Sequence, residues 1–170
     1  MKNILIVDGY NIIGAWPELR VLRDKDLAAA RDRLIEQMAE YQGYTGYEII
    51  VVFDAHYVKG AARKYKNYKV DVIFSKENET ADERIEKLAS ELNNIKTQIH
   101  VATSDFTEQW VIFGQGALRK SARELLIETE GIQRKIEHRV RKTREKSPAT
   151  KLPLTEEVTE LFEKWRRGEK

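Results

Sequence analysis

The sequence predicts an α/β protein: a doubly wound, mostly parallel sheet flanked by helices, with a basic helical extension at its C-terminal end. Two observations carry this prediction. Apolar, β-branched runs at 4–8 (ILIVD), 48–54 (EIIVVFD) and 99–105 (IHVATSD) each end on a carboxylate. Between them lie segments with apolar residues at three-to-four spacing, so strand and helix alternate along the chain. At 170 residues the chain fits one domain plus a tail.

The three runs are hydrophobic almost without interruption, as strands covered by helices on both faces must be. A fourth run at 69–75 (KVDVIFS) alternates polar and apolar residues, which suits a strand nearer the sheet edge. Leu27, Arg31, Leu34, Met38 and Tyr41 mark one helix, and Ile85, Leu88, Ala89 and Leu92 another. The second has a clear start, because Thr80 and Glu83 form a capping box, which places Asp82 in the first turn. From about Ala117 a long helical pattern runs toward Arg144, with Gly131 marking a point where it can break. The domain is therefore read as 1–146. Residues 147–170 follow as a linker, Ser147-Pro148-Ala149-Thr150, and a short helix over 155–166. Leu161, Phe162 and Trp165 give that helix an apolar face expected to dock on the domain.

Composition narrows the function classes. With 41% hydrophobic and 34% charged residues, the chain can build a core under a heavily charged surface. The absence of cysteine excludes a disulfide framework, a thiolate zinc site and a cysteine nucleophile, and suits a reducing compartment, so a cytoplasmic location is expected. The N-terminal apolar run is too short for a signal peptide, and no stretch approaches the roughly 20 residues that cross a bilayer, so no membrane role is expected. The net charge of +2 conceals an asymmetry: residues 1–118 carry 15 Lys/Arg against 18 Asp/Glu, whereas 119–146 carry 10 against 5. Such a block is either a solvated helix face or a footprint for nucleic acid.

The chemical centre is Asp8 in VDGYN, a carboxylate where a buried strand turns over Gly9, with Asn11 able to hydrogen-bond the carboxylate or a phosphate. Asp54 ends the second run, Glu79 and Asp82 lie at a helix start, and Asp105 follows Thr103 and Ser104, whose hydroxyls can orient a carboxylate or water. Each acid has a plainer explanation as a helix cap or a complement to a helix dipole. Together they are harder to dismiss, because a doubly wound sheet gathers the carboxyl ends of its strands at one edge. Two carboxylates about 4 Å apart repel by about 4 kcal/mol at an effective dielectric near 20, so a cluster must take up protons or cations. Oxygen-only ligands favour Mg²⁺ or Mn²⁺ over zinc, and such ions activate water and stabilise charge on a phosphoryl group. Phosphodiester hydrolysis is the expected chemistry. Ser104 lacks a recognisable triad, and His56, His100 and His138 are read as structural. GQGALR at 114–119 lacks the third glycine of a dinucleotide loop and does not open the first strand-helix unit, so no nucleotide cofactor is expected; its turn can still cradle a phosphate.

For nucleic acid, Lys59, Arg63, Lys64, Lys66 and Lys69 occur without an intervening acid and are interleaved with Tyr65 and Tyr68. Cations for phosphates beside aromatic faces for bases suit a single strand, although a solvated loop would look the same. Arg119, Lys120 and Arg123 form a second candidate contact, and Arg134, Lys135, Arg139, Arg141, Lys142 and Arg144 crowd the end of the long helix.

These residues resemble the NYN-domain family of PIN-like ribonucleases over roughly 1–125, through VDGYN, VVFDA, ENETADERI and VATSDFTEQW. Through GAWPEL, TADERIEKLA and GQGALRKSARELL the resemblance extends across nearly the whole chain to the YacP-type branch, and is closest to the ribosome-associated A-site mRNA endoribonucleases of Gram-positive bacteria. It implies a PIN-like sheet and a metal-dependent endoribonuclease that cuts mRNA on translating ribosomes. Carried over by matching motif, Asp8 and Asp82 are the leading metal ligands or catalytic carboxylates, Asp105 and Asp54 come next, Asn11 supports them, and Glu79 is less secure. Two other readings remain open: a non-catalytic RNA- or ribosome-binding module, and a nuclease acting on free RNA or DNA.

Overall fold

The computed structural model describes residues 1–55, 70–104 and 116–146, with Lys164, Arg166 and Gly168. Five strands, β1 (Lys2–Asp8), β2 (Glu48–Phe53), β3 (Asp71–Phe74), β4 (Thr97–Ala102) and β5 (Leu118–Lys120), form one sheet in the order β3-β2-β1-β4-β5. All four pairings are parallel. Among the described residues the helices are α1 (Gly9–Ala15), α2 (Pro17–Lys25), α3 (Leu27–Thr45), α4 (Ala81–Leu92) and α5 (Ala122–Lys146).

Local signals explain most boundaries. Pro17 sits in the first turn of α2, where its missing N–H costs nothing. Asp26 caps α3 by accepting from the backbone N–H of Ala28 (3.0 Å) and Ala29 (3.3 Å), and Gly46, left-handed at φ +77°, ends it. Thr80 caps α4 as expected, its hydroxyl accepting from Glu83 N–H at 3.2 Å. β3 is the edge strand that its alternating pattern suggested, partly buried where β1 and β2 are buried along most of their length.

Side-chain alternation divides the core between the two faces of the sheet. Ile4, Ile6, Ile50 and Val52 pack with Ile85 and Ala89 of α4. Leu5, Val7 and Val51, pointing the other way, are fully buried, as are Ile12, Leu34 and Met38 of the helices that follow β1.

One expectation is corrected. The helical pattern assigned from Ala117 begins instead as a strand: Leu118, Arg119 and Lys120 pair with His100, Val101 and Ala102. Three residues are too few to show a period of two, and the open edge of β4 decides their conformation. The helix starts at Ala122, with Ser121 Oγ accepting from Glu124 N–H at 3.1 Å. It runs through Gly131 without a break. The chain divides into two compact units, Met1–Gln133 and Arg134–Lys170. The linker at 147–150 and the apolar residues of the last helix lie outside the described residues.

Candidate active site at the switch point of the sheet

β1 and β4 are neighbours in the sheet although β2 and β3 separate them in sequence. The chain leaves β1 toward one edge and returns to its other side, and at such a reversal a crevice opens beyond the carboxyl ends of the strands. Asp8 is the last residue of β1 and Thr103 the first after β4. Asp8 is 6% exposed, and its Oδ2 accepts from the Thr103 hydroxyl at 3.2 Å. Thr103 is itself fixed, its N–H donating to the Lys120 carbonyl on β5 at 3.1 Å. Asp8 occupies the N-cap position of α1 but makes no side-chain capping bond. The plainer explanation of this acid, as a cap, is therefore removed.

The next turn of chain reinforces the crevice. Asn11 Oδ1 accepts from both the backbone N–H and the hydroxyl of Ser104, each at 2.7 Å, which ties α1 to the end of β4. Gly9 has a role different from the turn expected of it. It is not among the glycines at positive φ, but a Cβ there would lie 2.3 Å from Phe53 Cε1. Only glycine lets α1 start this close to β2. The Phe53 ring also packs at 5.0 Å from Tyr10, whose hydroxyl accepts from Arg31 Nη1 at 3.0 Å.

Asp54 is half-buried just beyond β2, where Ser75 holds β2 to β3 through its N–H to Phe53 O (2.9 Å) and its hydroxyl from Ala55 N–H (3.0 Å). Asp82 is exposed in the first turn of α4. Asp8, Asp54 and Asp82 thus share the carboxyl-terminal edge of the sheet. Among the described residues, no three His, Asp or Glu side chains stand together as a metal-holding group. These three acids alone do not complete one, and Asp105 lies outside the described residues.

The sequence matches the YacP-like NYN domain over residues 5–167. The chain belongs to the YacP-like NYN domain family. It is 68% identical over 167 residues to a Bacillus subtilis (strain 168) protein called "Uncharacterized protein YacP", covering 98% of each chain. The crystal structure of Rae1 (YacP) from Bacillus subtilis superposes with a TM-score of 0.78 at 68% identity, over 97% of this chain and 95% of that one. The crystal structure of a tryptophan-to-leucine mutant of the same Bacillus subtilis protein gives 0.76 at 64% identity, over 97% and 96%. The parallel sheet with flanking helices is thus the fold of this family, whose NYN domain is of nuclease type.

In this YacP-like NYN domain the basic residues separate into distinct settings. Lys59, Arg63, Lys64, Tyr65, Lys66, Tyr68 and Lys69 lie outside the described residues. Arg119 and Arg123 are exposed. Lys120 is turned away from the RNA contact expected of it: its ammonium points inward to Glu128 Oε1 (2.8 Å) and Oε2 (2.7 Å) and to the Tyr41 hydroxyl (3.3 Å). Tyr41 in turn donates to Glu128 at 2.6 Å. Burial first, and then the Glu128 carboxylate, push the Tyr41 phenol far up, so it stays protonated. A cation neutralised in such a network has little left to offer a phosphate. His100, next to this network, bonds Asn3 at 3.2 Å and packs against Tyr47. Burial, then Lys120, lower its pKa, in keeping with a structural histidine.

Glu79 is also a structural brace. Buried before α4, it accepts from Lys87 Nζ at 2.6 Å. That hydrogen bond is the main cause holding its carboxyl below the ordinary value of 4.5. A lowered folded value means that the pair's stabilisation is complete above the ordinary carboxylate range and is lost as pH falls through the folded value. Lys87→Met should therefore lower Tm above the carboxylate range and leave it near wild type in acid, so that the gap between the two Tm-versus-pH profiles closes as pH falls through the folded value. A gap that is absent at neutral pH, or that does not close as pH falls, would mean that the pair contributes nothing.

Thr103 and Ser104 carry hydroxyls suited to orienting a carboxylate but are not among the leading site residues of the sequence. Two β-hydroxyl residues directly after a buried strand were the available signal. The inward Lys120–Glu128–Tyr41 network had none, since Lys120 stands 79 residues from one partner and 8 from the other.

Proposed function

We propose that this chain is a metal-dependent endoribonuclease that hydrolyses phosphodiester bonds of mRNA in the cytoplasm, acting on translating ribosomes within the A site. The single observation that carries the nuclease reading is Asp8: a buried carboxylate at the switch point, not used as a cap and oriented by the Thr103 hydroxyl. The donors around it are all oxygen, a chemistry that fits Mg²⁺ or Mn²⁺. Asp8, Asp54, Asp82 and Asp105 would hold the ion. When bound, it supplies water activation and stabilisation of charge on the phosphoryl group.

The protein's own residues then have separate tasks. Thr103 fixes the orientation of the Asp8 carboxylate through its hydroxyl. Asn11, its oxygen engaged by Ser104, presents its amide NH₂ to a phosphate oxygen. The basic, tyrosine-bearing segment at 59–69 follows Asp54 directly and supplies phosphate and base contacts. The ribosomal setting is supported by the resemblance of the whole chain to A-site endoribonucleases and by the basic residues along α5.

The test is mRNA cleavage on translating ribosomes beside the same naked RNA, using wild type and Asp8→Asn, with Mg²⁺, Mn²⁺ or chelator. Ribosome-dependent cuts that vanish with chelator and in the variant are expected. Efficient cutting of naked RNA would remove the ribosome from the proposal, and tight ribosome binding without any cleavage would replace the enzyme with a binding module.

A further inference from the structure

A cavity of about 400 Å³ opens beside the switch point, between the end of α1, β5 and the start of α5. Ala15, Trp16, Pro17, Ala122 and Leu126 give it a largely carbon wall, while Ser104, Arg119 and Arg123 supply polar groups. The wall is built rather than incidental: the Trp16 indole N–H donates to the Ala122 carbonyl at 2.8 Å, pinning the α1–α2 junction to the first turn of α5. Ser104 follows Thr103 directly, so the cavity begins one residue, about 3.8 Å of backbone, from the group that orients Asp8.

We infer that this cavity binds one unpaired nucleotide of an RNA strand, its base against the carbon wall and its phosphate on Arg119 and Arg123. The inference rests on the nuclease proposal for the direction of the strand past Asp8. Three properties select this occupant. The volume falls in the range of small-molecule sites, roughly 300–1,000 Å³. Two guanidiniums, Arg119 and Arg123, are among the described lining residues, and they suit an anion rather than a cation. Their planar forks match phosphate oxygens, while an apolar wall accepts the face of any base. A base lodged here would also be out of a stack, as expected for single-stranded substrate.

Direct binding tests this without cleavage. The full-length Asp8→Asn chain is titrated into a fluorescein-labelled single-stranded ribo-octamer and, separately, into an abasic octamer of equal charge. Ala15→Phe is the blocking variant, because Ala15 is exposed at the end of α1 and a larger side chain can enter the cavity without crowding the core. It is expected to weaken the base-containing octamer at least about fivefold and to leave the abasic one unchanged. Arg123→Ala is expected to weaken both and to lower the slope of log K against log salt by about 0.7. Equal effects of Ala15→Phe on the two octamers, an unchanged salt slope in Arg123→Ala, or no binding of the base-containing octamer at all would each overturn the pocket. Because the readout is binding by a chain that does not cut, failure of the wild type to cleave mRNA would count against the nuclease proposal and not against this one.

Discussion

Asp8→Asn should reduce RNA cleavage by at least about 100-fold, since losing a metal ligand should cost no less than the roughly 10–100-fold typical of losing an outer-shell partner, while the protein stays folded. Asparagine keeps the shape and one oxygen of the acid, so the 3.2 Å bond from the Thr103 hydroxyl can persist. The charge is lost, and with it most of the affinity for a divalent ion. For stability the signs oppose each other: losing a buried charge is favourable, whereas the new NH₂ must find an acceptor or cost about 1–3 kcal/mol. The net change should therefore be under about 2 kcal/mol. Asp82→Asn is the companion test, with the same loss of cleavage expected. Because Asp82 is exposed, its effect on stability should stay within about 0.5 kcal/mol. Loss of activity without loss of fold in both variants would distinguish working carboxylates from structural ones. Full activity in either variant would remove that residue from the centre, and unfolding of Asp8→Asn would make the acid a structural element of the strand end.

The parts of this site that could be read in the sequence are those whose cause is local. A strand buried on both faces must be apolar along its length, and a carboxylate closing such a run stands out. Asp8 and Asp54 were visible for that reason, and Thr80 and Glu83 announced the start of α4 through a hydrogen bond that spans three residues. That the strands run parallel also followed, from their unbroken apolar runs and from the alternation of strand and helix. β5 was not legible because its conformation comes from its partner: Leu118–Lys120 is a strand only where β4 offers an edge. Lys120 illustrates the same limit for charge. In the sequence it stands between Arg119 and Ser121 and near Arg123, as one more cation in a basic block. In the fold it faces the opposite way from a solvated contact, toward a tyrosine contributed by α3 and a glutamate two turns along α5.

Gly9 shows how a correct residue can be singled out for the wrong reason, and the difference has a measurable consequence. If glycine were needed for a left-handed turn, any substitution would be strained whatever its neighbours. The structure instead gives Gly9 an ordinary helical start and sets the Phe53 ring where a side chain would be, with Cε1 at 2.3 Å and Cδ1 at 2.5 Å from an added Cβ. Helix propensity favours Ala over Gly by about 1 kcal/mol at most, whereas forcing a methyl into a packed core costs about 1–3 kcal/mol. Overpacking should win, so Gly9→Ala is expected to destabilise the protein. It should also reduce cleavage, since displacing Phe53 disturbs its 5.0 Å contact with Tyr10 and the start of α1 next to Asp8. The decisive comparison is a double-mutant cycle with Phe53→Leu. That substitution alone opens space and loses packing, but in its presence Gly9→Ala should cost little, giving a favourable coupling of about 0.5–3 kcal/mol. Strict additivity would assign Gly9 a backbone role after all, because strain in a turn is not relieved by a smaller neighbour. Recovery of stability without recovery of cleavage would locate the effect in the core and detach it from Asp8.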